Sequence, residues 1–205
     1  MHPNPVYRGA TTQFNLQFVR QHGFGVLAVA NDGAPLLSHI PFILNGAGDV
    51  VDFHFVRSNP IVRVAKALVP ARLAVQGPHS YISPDWYDAE DQVPTWNYVA
   101  VHMVGEIELR PDTELRDLLD RQSQAYEARL APKAPWTAAK MAPDALDRMM
   151  RQIVPCRMHV AGVHGTWKLN QNKPNDMRLR AADHVDAYGM GQEVRLLSTL
   201  MRSAV

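Results

Sequence analysis

Apolar and polar positions alternate along this chain in two rhythms, and the rhythms place most of its elements. Residues 11–22 carry Phe14 and Phe18 four apart, the spacing of one helix face, so a short first helix is expected. Residues 24–30 form an apolar run closed by Asn31-Asp32-Gly33, a hairpin-turn sequence, and residues 36–44 return as a strand. After a second loop at 45–49, residues 50–56 alternate strictly. Val51, Phe53 and Phe55 fall on one face, Asp52 and His54 on the other. Three strands joined by short turns make a meander, which suits an antiparallel sheet or barrel.

Asn59 is a good N-cap and Pro60 suits the first helical position, so a helix is expected to start there. Residues 71–76 and 98–109 read as strands. Residues 112–130 form an amphipathic helix with Leu115, Leu118, Leu119, Tyr126 and Leu130 on one stripe. Pro132, Pro135 and Pro143 interrupt the chain before a second helix at 144–153. Residues 157–163 read as a last strand and 190–202 as a terminal helix. The expected class is α+β: one β-barrel domain over 1–205, with a helical insertion at about 112–153 and a C-terminal helix at about 190–203.

Residues 76–105, QGPHSYISPDWYDAEDQVPTWNYVAVHMVG, break both rhythms. They hold two of the four tryptophans, three of the six tyrosines, two histidines and three prolines. Buried histidine, asparagine and tyrosine groups need partners, so this stretch is expected to be a long aromatic loop that shapes a ligand site or an interface. A loop packed by its own aromatics would read the same way.

Composition narrows the classes. A net charge of +1 and a pI near 8.0 give no broad basic face, so charge does not nominate nucleic acid. One cysteine, Cys156, allows no intrachain bridge and suits a reducing cytoplasm. No apolar run is long enough to span a bilayer, and the stretch MHPNPVYRG does not read as a signal peptide, so none is expected.

Three segments carry candidate chemistry. At Arg57-Ser58-Asn59-Pro60 a cation and two small hydrogen-bonding residues precede a helix, a combination suited to an anion such as a phosphate monoester. A capped helix beside a surface arginine has the same sequence. In His39-Ile40-Pro41-Phe42, Pro41 cannot donate to a ladder, so its strand is expected to be an edge or bulged there. In GTWKLNQNKP, Lys168 and Lys173 bracket Asn170, Gln171 and Asn172, a density suited to phosphate or a heterocycle edge, and equally to a solvated loop. There is no HExxH, CxxC pair, GxSxG, P-loop or Rossmann fingerprint, so no metal site is expected. The two late helices are separated by about a dozen residues, too many for a helix-turn-helix.

The strings FGVLAV, HIPF, FHFVRSNP, QGPHSYISPDWY, VPTWNYVAVHMVG and KLNQNKP, in this order, resemble the PaiB-type family of FMN-binding negative transcriptional regulators. One departure is Asn170, where the family commonly has Ser. The resemblance implies an antiparallel split β-barrel of the flavin-reductase-like kind, a homodimer with FMN near the subunit interface. It assigns Arg57, Ser58 and Asn59 to the FMN phosphate and His39, Pro41 and Phe42 to the isoalloxazine. Trp96, Asn97 and Tyr98, with Lys168 and Gln171, would close the site, from one chain or its partner. Family membership implies DNA as a partner, although no sequence feature here reads a groove. Two other readings attach to the same barrel. One is an FMN-dependent oxidoreductase of the pyridoxamine-phosphate oxidase or flavin reductase type, with His79, Tyr81 and His102 as proton-moving candidates. The other is a haem-handling protein using His164 or His184.

Overall fold

The computed structural model describes residues 2–204. Seven strands run as β1 (Phe24–Val29), β2 (Leu36–Leu44), β3 (Val50–Val56), β4 (Val69–Ile82), β5 (Thr95–Leu109), β6 (Ile153–Lys168) and β7 (Gly191–Gln192). Among the described residues six α-helices join them: α1 (Thr12–His22), α2 (Pro60–Val64), α3 (Leu115–Glu127), α4 (Pro143–Met150), α5 (Asn175–Tyr188) and α6 (Val194–Ser203). The strand order is β1-β2-β3-β6-β5-β4-β7, and β1 also pairs with β4, so the first six strands close on themselves as a split β-barrel. The class is α+β and the sheet antiparallel, as the strand rhythm implied.

The chain divides into two compact units, a central one of residues 19–74 and 103–162, and a terminal one of residues 1–18, 75–102 and 163–205. In the central unit the alternation of β3 does what the pattern predicted: Val51, Phe53 and Phe55 are buried together. Leu27, Ile40, Phe42, Leu73, Met103 and Met158 complete that apolar interior. Leu115 and Leu118 of α3 are buried too, whereas Leu130, past the helix end, is exposed. In the terminal unit Ile82, Tyr87, Val99, Trp167, Val185, Leu197 and Met201 are buried. The exposed Phe14 and buried Phe18 of α1 both meet the Trp167 ring, at 4.7 and 5.2 Å.

Pro41 sits where β2 changes partners. Residues from Leu36 to Pro41 pair with β1, and pairing with β3 begins only at Phe42. On its β3 side the strand is therefore unpaired up to the proline, where a missing N–H costs nothing.

Three elements depart from expectation. The aromatic stretch is mostly strand: β4 runs on to Ile82 and β5 starts at Thr95, leaving a short connection with a 3₁₀ turn at Pro84–Tyr87. Alternation resolves the difficulty of burying such a mixture. Ser80 and Ile82 point in while His79 and Tyr81 stay half-exposed, and Gly77 leaves room for the Phe18 ring, 2.5 Å from where a Cβ would sit. Strand β6, expected at 157–163, is sixteen residues long. Helix α5 is absent from the pattern reading because its buried face is Arg178, Ala181, Ala182 and Val185, too weakly apolar to announce itself.

Candidate functional site

The expected site residues fall into one group in each unit. In the central unit, Asn59 caps α2: its Oδ1 accepts from the Ile61 N–H at 3.0 Å, with Pro60 as first helical residue. Its Nδ2 donates to Ser38 Oγ at 3.2 Å, which brings the helix start to the strand segment that carries His39. His39 is exposed and stacks on exposed Phe24 at 6.4 Å, an open aromatic pair. Ser58 is exposed with no hydrogen-bond partner among the described residues.

Arg57 is already engaged. Its Nη2 donates to both Asp112 carboxylate oxygens, at 3.2 and 3.1 Å, and to the Ile153 carbonyl, while Nε donates to the Arg151 carbonyl. With both charged side chains about half-exposed or more, that pair is weak enough to exchange for a stronger anion. Phe42 differs from its expected role: strand alternation turns its ring into the core, 1% exposed, leaving no ring face for a ligand. Its backbone is spent as well, the N–H donating to Gly23 O and the carbonyl accepting from Tyr126 Oη at 2.7 Å. Pro41 beside it remains partly exposed.

In the terminal unit, Trp96 is exposed on the outer face of β5, flanked by His79 and Tyr81 of β4 with ring centroids at 6.0 and 6.2 Å. His79 Nδ1 lies within bonding distance of Gln76 Nε2 at 3.1 Å. Asn97 points the other way and is fully buried, its amide donating to Met201 Sδ at 3.5 Å and its Oδ1 without a partner among the described residues. Tyr98 is half-buried, which pushes its phenol pKa up by desolvation. Lys168 donates to Thr95 Oγ1 and lies 6.0 Å from the Tyr7 ring, and partial burial lowers its pKa. Gln171 is tied locally, its Oε1 accepting from Leu169 N and its Nε2 donating to Trp167 O. It lines a cleft of about 490 Å³ with Thr11, Phe14, Trp167 and Leu200.

Asn170 has a physical reason to replace serine. Its φ is +64°, a left-handed conformation that asparagine adopts more readily than other non-glycine residues. Of the haem candidates, His164 is exposed and His184 is stacked between Trp86 and Tyr188, at 5.7 and 6.2 Å. Sequence reasoning missed Ser38, the partner of Asn59, and Arg178, which lies on the helix that the pattern did not announce.

A family model described as "Putative FMN-binding domain" matches residues 1–162. The protease synthase and sporulation protein PAI 2 of Bacillus subtilis is 34% identical over 158 residues, covering 76% of this chain and 75% of that protein. Among solved structures, the FAD and heme binding protein from Mycobacterium smegmatis superposes with a TM-score of 0.59 at 15% identity, over 90% of this chain and 82% of that one. The flavocytochrome Anf3 from Azotobacter vinelandii gives 0.55 at 11% identity, over 82% and 72%. At such identities the two structures speak for the fold alone.

Proposed function

The chain belongs to this FMN-binding, PaiB-like family, with FMN as its cofactor, and on that premise we propose that it is a negative transcriptional regulator whose flavin is part of its signal. The observation that carries the reading is the 34% identity to the Bacillus subtilis protein across three quarters of both chains. Regulation runs through a partner protein or directly on DNA, in a homodimer with FMN near the subunit interface.

The residues present fit the cofactor. Ser58 offers an unspent hydroxyl, and Arg57 a guanidinium whose one charged partner is an exposed carboxylate, its other bonds going to the Arg151 and Ile153 carbonyls. In the proposed arrangement these take the FMN phosphate, and the exposed His39 beside Pro41 meets the ring system. Trp96 and Tyr98, with Lys168 and Gln171 on the same unit, are supplied by the second copy. Bound FMN would supply one- and two-electron redox chemistry; the protein's part is to hold its phosphate and cover its ring.

The test is direct. The purified protein should carry yellow, fluorescent flavin that Arg57→Ala weakens by about tenfold or more, the cost of losing a charge-assisted contact. A colourless protein that FMN cannot reconstitute would end the cofactor assignment at these residues. Gel filtration tests the dimer, and DNA binding that survives moderate salt tests direct regulation.

A second reading, an FMN-dependent oxidoreductase, is supported by one observation: His79 and Tyr81 flank the exposed Trp96, placing protic groups around an open aromatic face. Flavin reduction by a nicotinamide cofactor at a catalytic rate, lost in His79→Ala, would favour it over the regulator.

A further inference from the structure

Helix α5 opens with an arginine that the rest of the described chain leaves incomplete. Pro174 precedes the helix and provides no side-chain cap. Arg178, one turn in, is only 8% exposed and lies on the buried face with Ala181, Ala182 and Val185. Its guanidinium folds back to the helix start, Nη2 donating to Asn175 Oδ1 at the first helical residue. Its Nη1 is buried and has no partner among the described residues. Among the described residues Arg178 belongs to no ion pair.

A guanidinium stays charged under all ordinary conditions, and a buried charge without a counter-charge is among the costliest features a fold can carry. A second unspent donor lies in the same short segment. Asn170, 2% exposed, accepts from Tyr87 Oη at 3.2 Å, but its Nδ2 has no partner among the described residues. Both unsatisfied atoms are N–H donors, so the missing partner is an acceptor, and the helix start adds its own positive end. Part of that end is taken on the exposed side: the Asp176 carboxylate accepts from the Met177 N–H and from Arg180 Nη1 at 3.0 Å. Lys173, 5.2 Å from the Tyr87 ring and bonded to Gln92, adds a cation nearby.

We propose that the segment from Asn170 to Arg178 holds a small oxyanion, a phosphate or carboxylate group, on Arg178 Nη1 at the buried side of the α5 N-terminus. This anion is distinct from the FMN phosphate, whose proposed donors are Arg57, Ser58 and Asn59. Its source is an acidic substrate or effector carrying one such group.

Calorimetric titration of the flavin-loaded protein with inorganic phosphate, and separately with acetate, at constant ionic strength against chloride, tests the site. One saturable event per chain is expected for phosphate or acetate. Arg178→Gln should weaken it by about tenfold or more while flavin absorbance is unchanged, and Arg178→Lys should retain part of it. No saturable binding in the unaltered protein would overturn the proposal, which needs no variant to fail, and so would equal affinity in Arg178→Gln. Loss of flavin together with phosphate binding in Arg178→Gln would overturn it as well, since the anion would then be the phosphate of FMN. A colourless protein that still binds phosphate through Arg178 would support the site while removing the cofactor assignment.

Discussion

The central and terminal units each bury charged groups, and they complete them differently. In the central unit the nearly buried Asp52 receives Arg157 through two bonds, at 2.7 and 3.2 Å, and Arg121 of α3 at 3.1 Å. Around it Arg110 joins Glu108 and Glu114, so every charge in the cluster has an opposite neighbour. In the terminal unit Arg178 is buried with an amide oxygen and, among the described residues, no carboxylate. The first is a self-contained network that anchors α3 to β3 and β6. The second is an open circuit, the pattern a ligand site leaves when a protein is built around something it must bind.

Breaking the closed network should give the largest effect. Asp52→Ala leaves Arg157 with only the Glu114 carboxylate 4.0 Å away and Arg121 with only Asp117, and a loss of about 2–3 kcal/mol is expected in urea unfolding. A loss near zero would mean that the network is surface decoration. Next comes the latch between α3 and the barrel. The single O–H of Tyr126 is shared between the carbonyls of Gly23 and Phe42, so Tyr126→Phe should cost about 1–2 kcal/mol in the same measurement. Gly23, at φ +62°, leaves room for that phenol, because a Cβ there would sit 2.7 Å from its oxygen.

Arg178→Met should not share the loss expected of Asp52→Ala. In anion-free buffer removing an uncompensated charge should leave stability within about 1 kcal/mol of the parent, or raise it. A loss as large as that of Asp52→Ala would show that the terminal cluster is closed after all.

The smallest effect is a pH dependence from His54. Burial holds its pKa below the usual value of 6.5, partly offset by a hydrogen bond to Gln122. The unfolded chain then binds the proton first, so stability should be flat above about pH 6.5 and decline as pH falls from there toward the depressed folded value. The carboxylates held low by arginine or lysine partners, such as Glu114 and Glu127, add their own losses only below about pH 4.5. Thermal melts of His54→Gln should lack the first decline; an unchanged profile would place its origin elsewhere.

Much of the framework was legible in the pattern. Leu36–Leu44 and Val50–Val56 have the bounds that alternation implied, and Asn59-Pro60 begins a helix as its capping chemistry requires. The aromatic stretch misled because its polar residues were weighed as a composition, when their parity along β4 and β5 decides which are buried. Helix α5 was invisible for a related reason: alanines and one arginine make a buried face that no hydrophobic period marks.

The candidate site was legible as residue types and not as states. The chain alone determined the strand rhythm, the caps, the family and hence FMN. Tertiary structure decided how each polar group is spent. It gave Arg57 to Asp112, 55 residues away, turned Phe42 and Asn97 inward, and left Arg178 with an unfilled donor. Local periodicity records which face a residue takes, because neighbours three or four apart share it. Whether a buried charge finds a partner depends on groups brought in from distant parts of the chain, and only packing settles that.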